Sequence, residues 1–244
     1  MQRVKVTISY DGGDYHGWQR QPNGVCVQEI VEKTLAEICG TAIKIYASGR
    51  TDEGVHAIGQ VFHFDNPTTI PADRICFVLN RILPNDIVAT ASELVSDDFN
   101  ARYSAKRKTY LYKMYFSTMD LPFERKYKLR IDTKIDIEKM RQAANYLVGI
   151  HDFVGFSATG SYVGSTIREI FDASFTEVGN ELQFRVTGSG FLYNMVRIIV
   201  GTLLEVGYGK YQPERVRDVL LSKNRKLAGK TVSGVGLYLE KVEY

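Results

Sequence analysis

The sequence predicts an α+β fold of two domains, each with a mixed, largely antiparallel sheet flanked by helices. Three observations predict it. Apolar residues alternate at Val4, Val6, Ile8 and Tyr10, and again in later segments, which is the strand period. Several of these strand-like runs follow one another through hairpin-like links rather than through helices. Helical spacing then recurs in both halves, so that each half holds strand, helix and strand-pair material. No Pro- or Ser-rich linker separates the halves, and the division is placed at 1–105 and 106–244.

Residues 4–10 read as the first strand, ended by the turn Asp11-Gly12-Gly13-Asp14. Val27, Ile30, Val31, Leu35 and Ile38 share one face of a helix that Gly40 stops. Residues 61–64 form a second strand and 108–116 a third, long and alternating. Asp136 caps a helix carrying Ile137, Met140 and Leu147, which Gly149 ends. Residues 171–175 and 182–186 pair as strands. Residues 191–206 are apolar almost all round, broken by Asn194, Arg197 and Glu205, and so predict a buried helix. Pro213 opens another helix, and 236–242 closes with a strand.

At 244 residues, 44% hydrophobic and 24% charged, the chain has the balance of a soluble globular protein and needs no staple. Cys26, Cys39 and Cys76 form no CxxC pair, and an odd number closes no disulfide framework, so reduced thiols in a cytoplasmic protein are expected. The alternating pattern begins at the first residues, so no signal peptide is expected. No apolar run reaches the ~18 residues of a membrane span. The net charge of +3 says little about partners. Local placement says more. Arg102, Lys106, Arg107, Lys108 and Lys113 stand among Tyr103, Tyr110, Tyr112 and Tyr115, with Arg125, Lys126, Lys128 and Arg130 soon after. Basic groups neutralise phosphates and aromatic rings stack on exposed bases. The alternative is a strand with one solvated basic face and one buried aromatic face.

The stretch Ser48-Gly49-Arg50-Thr51-Asp52-Glu53-Gly54-Val55-His56 sets an acid beside a base between two glycines, just before a strand. Glycines at 49 and 54 take positive φ at low cost, so Arg50 and Asp52 can project from one tight loop. The plainer reading is a charged surface turn. Arg197 is the second signal. A guanidinium in an apolar helix keeps its proton and needs an acidic or phosphate partner. Leaving it unpaired costs several kcal/mol, roughly 3–5. Glu205 lies eight residues on, too far for a contact along one helix. Asp52 is a candidate partner, and such a pair holds the carboxylate ionised and aimed, as a nucleophile requires. His56 and His63 lie seven apart, but a zinc site wants three or four clustered ligands, so no metal is expected.

These residues resemble the tRNA pseudouridine synthase A family. The likeness runs nearly end to end: Gly17-Trp18-Gln19-Arg20-Gln21, Val27-Gln28-Glu29, Gly49-Arg50-Thr51-Asp52, Gly54-Val55-His56 and Gly59-Gln60, then Asp98-Phe99-Asn100-Ala101-Arg102, Tyr110-Leu111-Tyr112, His151-Asp152-Phe153, Met195-Val196-Arg197 and Gly236-Leu237-Tyr238-Leu239. The resemblance implies isomerisation of uridine to pseudouridine at tRNA positions 38, 39 and 40 of the anticodon stem-loop, without cofactor or metal. It implies two similar domains around a basic cleft, in a homodimer that holds tRNA. By matching position, Asp52 is the nucleophile, Tyr110 lies against the target base, Arg197 is the basic partner of the aspartate, and Arg50 helps displace the target nucleotide. Arg102, Lys106, Arg107 and Lys108 are the expected RNA-binding patch. The sequence leaves open whether Asp52 attacks the sugar or the base. Two other functions compete: an RNA-binding module without chemistry, and a hydrolase using Asp52 as general base.

Overall fold

The computed structural model describes residues 1–158 and 164–244. Backbone contacts divide the chain into two units, Met1–Lys106 with Tyr238–Tyr244, and Arg107–Leu237. A cut at 105–106 gives the closing strand to the second half; the contact division gives it, from Tyr238 on, to the first.

The first unit is built on β1 (Gln2–Tyr10). Its inward side chains Val4, Val6, Ile8 and Tyr10 are buried, as the alternation predicts. After α1 (Val27–Cys39) and the two-residue β2 (Tyr46–Ala47) comes β3 (His56–Asn66), then α2 (Ile75–Leu79) and β4 (Ile87–Leu94). The closing strand β10 (Leu237–Glu243) completes the order β4-β1-β3-β10, with β2 on β3. The β1 pairings are antiparallel, while β10 runs parallel to β3 with Tyr238 opposite His56. Gly40 ends α1 at φ 68°, as its place in the sequence predicts. β2 and β4 carry no strong sequence signal. The register of β4 is fixed instead by Asn80, whose side chain donates to Ala89 O at 2.8 Å and accepts from Ala89 N at 2.7 Å.

The second unit orders β5 (Arg107–Phe116), β9 (Glu181–Gly188), β8 (Ile167–Val178) and β7 (Gly149–Asp152) side by side, antiparallel, with β6 (Leu129–Ile131) parallel to β5. Helices α3 (Ile137–Asn145), α4 (Met195–Gly207) and α5 (Arg215–Ser222) belong to it. Asp136 caps α3 by accepting from Lys139 N at 3.0 Å. α3 and α4 meet where Gly207 faces Met140: a Cβ at 207 would lie 2.6 Å from Met140 Sδ. The apolar helix is shorter than its composition predicts. Asn194 sits in the left-handed region at φ 58°, so the helix begins only at Met195, after a turn at Tyr193 and Asn194. The side chains of α4 are otherwise nearly all buried, while Arg197 and Glu205 are half-buried.

Among the described residues, Cys26, Cys39 and Cys76 are all thiols, and no helix is long and apolar enough to cross a membrane.

Candidate active site

Asp52 stands on the loop that enters β3. Tyr10, the last residue of β1, is opposite Ala57, the second of β3, so the loops after β1 and before β3 lie at one end of this strand pair. The entry of the loop is fixed by a buried amide. Gln60 Oε1 accepts the Ser48 hydroxyl at 2.7 Å and its own strand's Val61 N–H at 3.1 Å, while Gln60 Nε2 donates to Gly49 O at 3.0 Å. Both Ser48 and Gln60 are wholly buried. The middle is fixed by Thr51, whose hydroxyl shares a hydrogen bond with Tyr10 Oη at 2.8 Å and whose carbonyl accepts Trp18 N–H at 3.0 Å. Burial pushes the Tyr10 phenol well above its usual pKa, so it remains a neutral partner.

The exit is shaped by close backbone approach. A Cβ on Gly12 would lie 2.0 Å from Val55 O, and one on Gly17 would lie 2.5 Å from Thr51 O and 3.0 Å from Asp52 C. Gly17 and Gly54 both take positive φ, at 80° and 72°. Gly49, expected to share that role, is not in the left-handed region; the Gln60 amide holds its carbonyl instead.

Next to the loop, the Gly12 N–H and the Asp11 carboxylate each lie 3.0 Å from His56 Nδ1. His56 stacks on Tyr238, and His63 stacks on Tyr46 and accepts Ala101 N–H at 3.1 Å. Both imidazoles thus serve packing and backbone bonding. Among the described residues no group of three or more His, Cys, Asp or Glu side chains could hold a metal.

The same bracket extends to α1. Cys26, before the helix, makes no side-chain cap. Instead the first helical N–H groups donate to Gly17 O (from Val27, 3.2 Å) and Trp18 O (from Gln28, 2.9 Å). Residues 17 and 18 therefore tie α1 to the Asp52 loop. Trp18 is buried against Tyr10 and Phe62. The loop holds Asp52 half-buried and Arg50 exposed.

In the second unit, Tyr110 is buried on β5 with its ring edge-on to Phe191 at 5.0 Å. Arg197 lies in the first turn of α4. Its Nε donates to Val232 O and its Nη1 to Asn194 Oδ1, each at 2.7 Å. Neutral oxygens thus take two of its donors. Glu205 pairs with Lys210 at 2.9 Å, as the helix spacing excludes its reaching Arg197. Tyr112 donates to Ser233 O at 2.7 Å; burial raises its pKa, against the pull of nearby Arg197.

Of the basic patch, Arg102, Lys106 and Arg107 are exposed and Lys108 is half-buried. Arg107 lies over the Phe171 ring at 4.5 Å. The strand from Tyr110 to Tyr115 does not have one solvated and one buried face: Tyr110, Leu111, Tyr112, Met114 and Tyr115 are all buried, so both faces are covered. Sequence reasoning did not single out Gln60, Tyr10 and Gly12 as supports of the loop. The available signal was a glutamine set directly before the apolar run Val61-Phe62.

With this geometry in place, the kinship of the chain is clear. A model of the tRNA pseudouridine synthase family matches residues 6–104 and 143–244. This chain belongs to that family, and it is an isomerase of uridine in tRNA. Similar proteins carry the name tRNA pseudouridine synthase A. One from an Exiguobacterium species is 47% identical over 244 residues, with 100% of this chain and 98% of that protein covered. Those of Bacillus subtilis strain 168 and a Thermoanaerobacter species are 46% and 45% identical, with 99% of both chains covered in the first case and 100% of both in the second. Among solved structures, the archaeal box H/ACA sRNP Nop10-Cbf5 complex aligns with a TM-score of 0.37 and 14% identity, covering 82% of this chain and 44% of that one.

Proposed function

We propose that this protein converts uridine to pseudouridine at positions 38, 39 and 40 of the tRNA anticodon stem-loop, with Asp52 as the nucleophile. The bond between ribose and the base nitrogen breaks, the base turns, and a bond forms from ribose to carbon 5; carbon 5 then gives up its proton while the freed nitrogen takes one up. Atoms are conserved, so substrate and product have equal mass. Tyr110 lies against the base and serves the late proton removal. Arg197 holds the Asp52 carboxylate ionised, and Arg50 helps displace the nucleotide from the stack. Arg102, Lys106, Arg107 and Lys108 bind the RNA backbone. In this reading, 1–105 carries the nucleophile and 106–244 the tyrosine and the arginine. The protein works in the cytoplasm as a homodimer, with no cofactor.

The observation that supports this reading best is the bracing of the Asp52 loop. Gln60, Tyr10, Trp18, Gly12 and Gly17 hold its entry, middle and exit, in a chain of this family. A surface turn needs no such support, whereas a positioned carboxylate does. A base inside a stem must leave the stack to be reached, at a cost of about a few kcal/mol. The test is to incubate the purified protein with an unmodified tRNA transcript and map pseudouridine by site. The proposal expects product at 38–40 with unchanged RNA mass. Release of uracil would instead reveal a hydrolase, and binding without product a non-catalytic module.

A further inference from the structure

Four tyrosines stand among the basic residues of 102–115, and their spacing alone does not say which of them faces solvent. Tyr110, Tyr112 and Tyr115 are buried, whereas Tyr103 is 79% exposed. A tyrosine this exposed contributes little to the core. Its backbone is nevertheless held tightly. Asn100 Oδ1 accepts the N–H groups of Arg102 at 2.9 Å and Tyr103 at 3.2 Å. Ser104 N–H donates to Asn100 O at 2.8 Å, and Ser104 Oγ accepts Asn100 N–H at 3.0 Å.

This turn is in turn anchored to the sheet. Ala101 N–H donates to the buried His63, Ala101 O accepts the Tyr244 hydroxyl at 2.9 Å, and Lys106 N–H donates to Glu243 O at 2.8 Å. The Arg102 guanidinium lies over the Tyr103 ring, 5.6 Å from its centroid. Lys106 is exposed three residues further on. The result is an exposed aromatic ring on a fixed turn, with one guanidinium against it and an exposed lysine three residues on.

We propose that Tyr103 is a stacking platform for an unpaired base of the tRNA, with Arg102 and Lys106 on the neighbouring phosphates. This rests on the reading of the protein as acting on tRNA and assigns it a specific contact. Every base offers a π-face, while the flanking cations suit the phosphates of the same strand. Because the turn is already ordered, little backbone freedom is lost on binding.

The test is equilibrium binding of an unmodified tRNA transcript to full-length protein at several salt concentrations. Tyr103→Ala should weaken binding about tenfold, the order of one lost stacking contact, with the salt dependence unchanged. Tyr103→Phe should bind like the parent, since the ring and not the hydroxyl does the work. Arg102→Ala should lower the salt slope, as loss of a phosphate contact does. Thermal unfolding of each variant checks that the fold is retained. Parental affinity in Tyr103→Ala would overturn the proposal, as would an equal loss in Tyr103→Phe. A reduced salt slope in Tyr103→Ala would show that the turn had collapsed and that the ring merely supports Arg102. A protein that shows the tenfold effect yet forms no pseudouridine would refute the proposed chemistry and leave the stacking contact standing. One that forms pseudouridine with a silent Tyr103→Ala would do the reverse.

Discussion

Gly17 lies directly against the backbone of Asp52: a Cβ at position 17 would sit 3.0 Å from Asp52 C and 2.5 Å from Thr51 O. The residue also holds φ at 80°. The first loop is thus a mould for the second, and glycine is required by both space and conformation.

Gly17→Ala should therefore shift the Asp52 loop rather than simply weaken the protein. The positive φ alone costs an alanine about 1–2 kcal/mol, and the backbone contact must also open. A 1 Å displacement of a reacting group costs on the order of 100-fold in rate. We expect a lower urea midpoint and a turnover loss of that order. An active, fully stable Gly17→Ala protein would show that the mould is not needed.

Gln60→Leu removes the buried amide that binds Ser48, Gly49 and Val61 N–H. Each polar group left buried without a partner costs about 1–3 kcal/mol. Stability should fall by several kcal/mol in chemical denaturation, with pseudouridine formation reduced more than tRNA affinity. Gln60→Glu should restore the Ser48 bond but not the donor to Gly49 O, and so fall between the two.

Arg197→Lys keeps the charge and loses the fork. One ammonium cannot reproduce the geometry of Nε on Val232 O and Nη1 on Asn194 Oδ1. Turnover should drop about 10–100-fold, while tRNA affinity changes little. Comparing single-turnover rates at saturating tRNA with filter-binding constants separates the two effects. A parental rate would make Arg197 a structural residue only.

His63 gives a pH signature. Burial, followed by the nearby Arg3 charge, holds its pKa below the usual histidine range, against the Asp65 carboxylate and a backbone bond at Tyr46. With the folded pKa depressed, the unfolded chain takes up the proton first as the pH falls. The stabilisation is thus full above about pH 6.5 and is lost as pH falls through the folded value. Urea midpoints of the parent should drop between neutral pH and about pH 5 by more than those of His63→Gln. Parallel curves would contradict this.

How legible the molecule was in its sequence depended on whether the deciding physics was local. β1 and α1 were legible because their apolar periods are long and Gly40 punctuates the helix. β4 was not, because its apolar alternation is weak and its place is set by the Asn80 side chain at the end of α2 and by pairing with the distant β1. The apolar run starts four residues before α4 does: Phe191 and Leu192 continue it, and nothing in composition signals an Asn194 backbone at φ 58°. The parallel pairing of β10 with β3 joins residues nearly two hundred apart and has no local trace. At the site, the residue types of the Asp52 loop were readable, whereas its supports come from β1, the loop after it, and the inward face of β3.

The central claim is that the Asp52 carboxylate carries out the isomerisation. The most direct measurement compares the parent and Asp52→Ala at saturating unmodified tRNA, quantifying pseudouridine and tRNA affinity on the same samples. The account predicts no detectable pseudouridine from the variant, with tRNA bound about as tightly as by the parent. Pseudouridine formed by Asp52→Ala at the parental rate would contradict it.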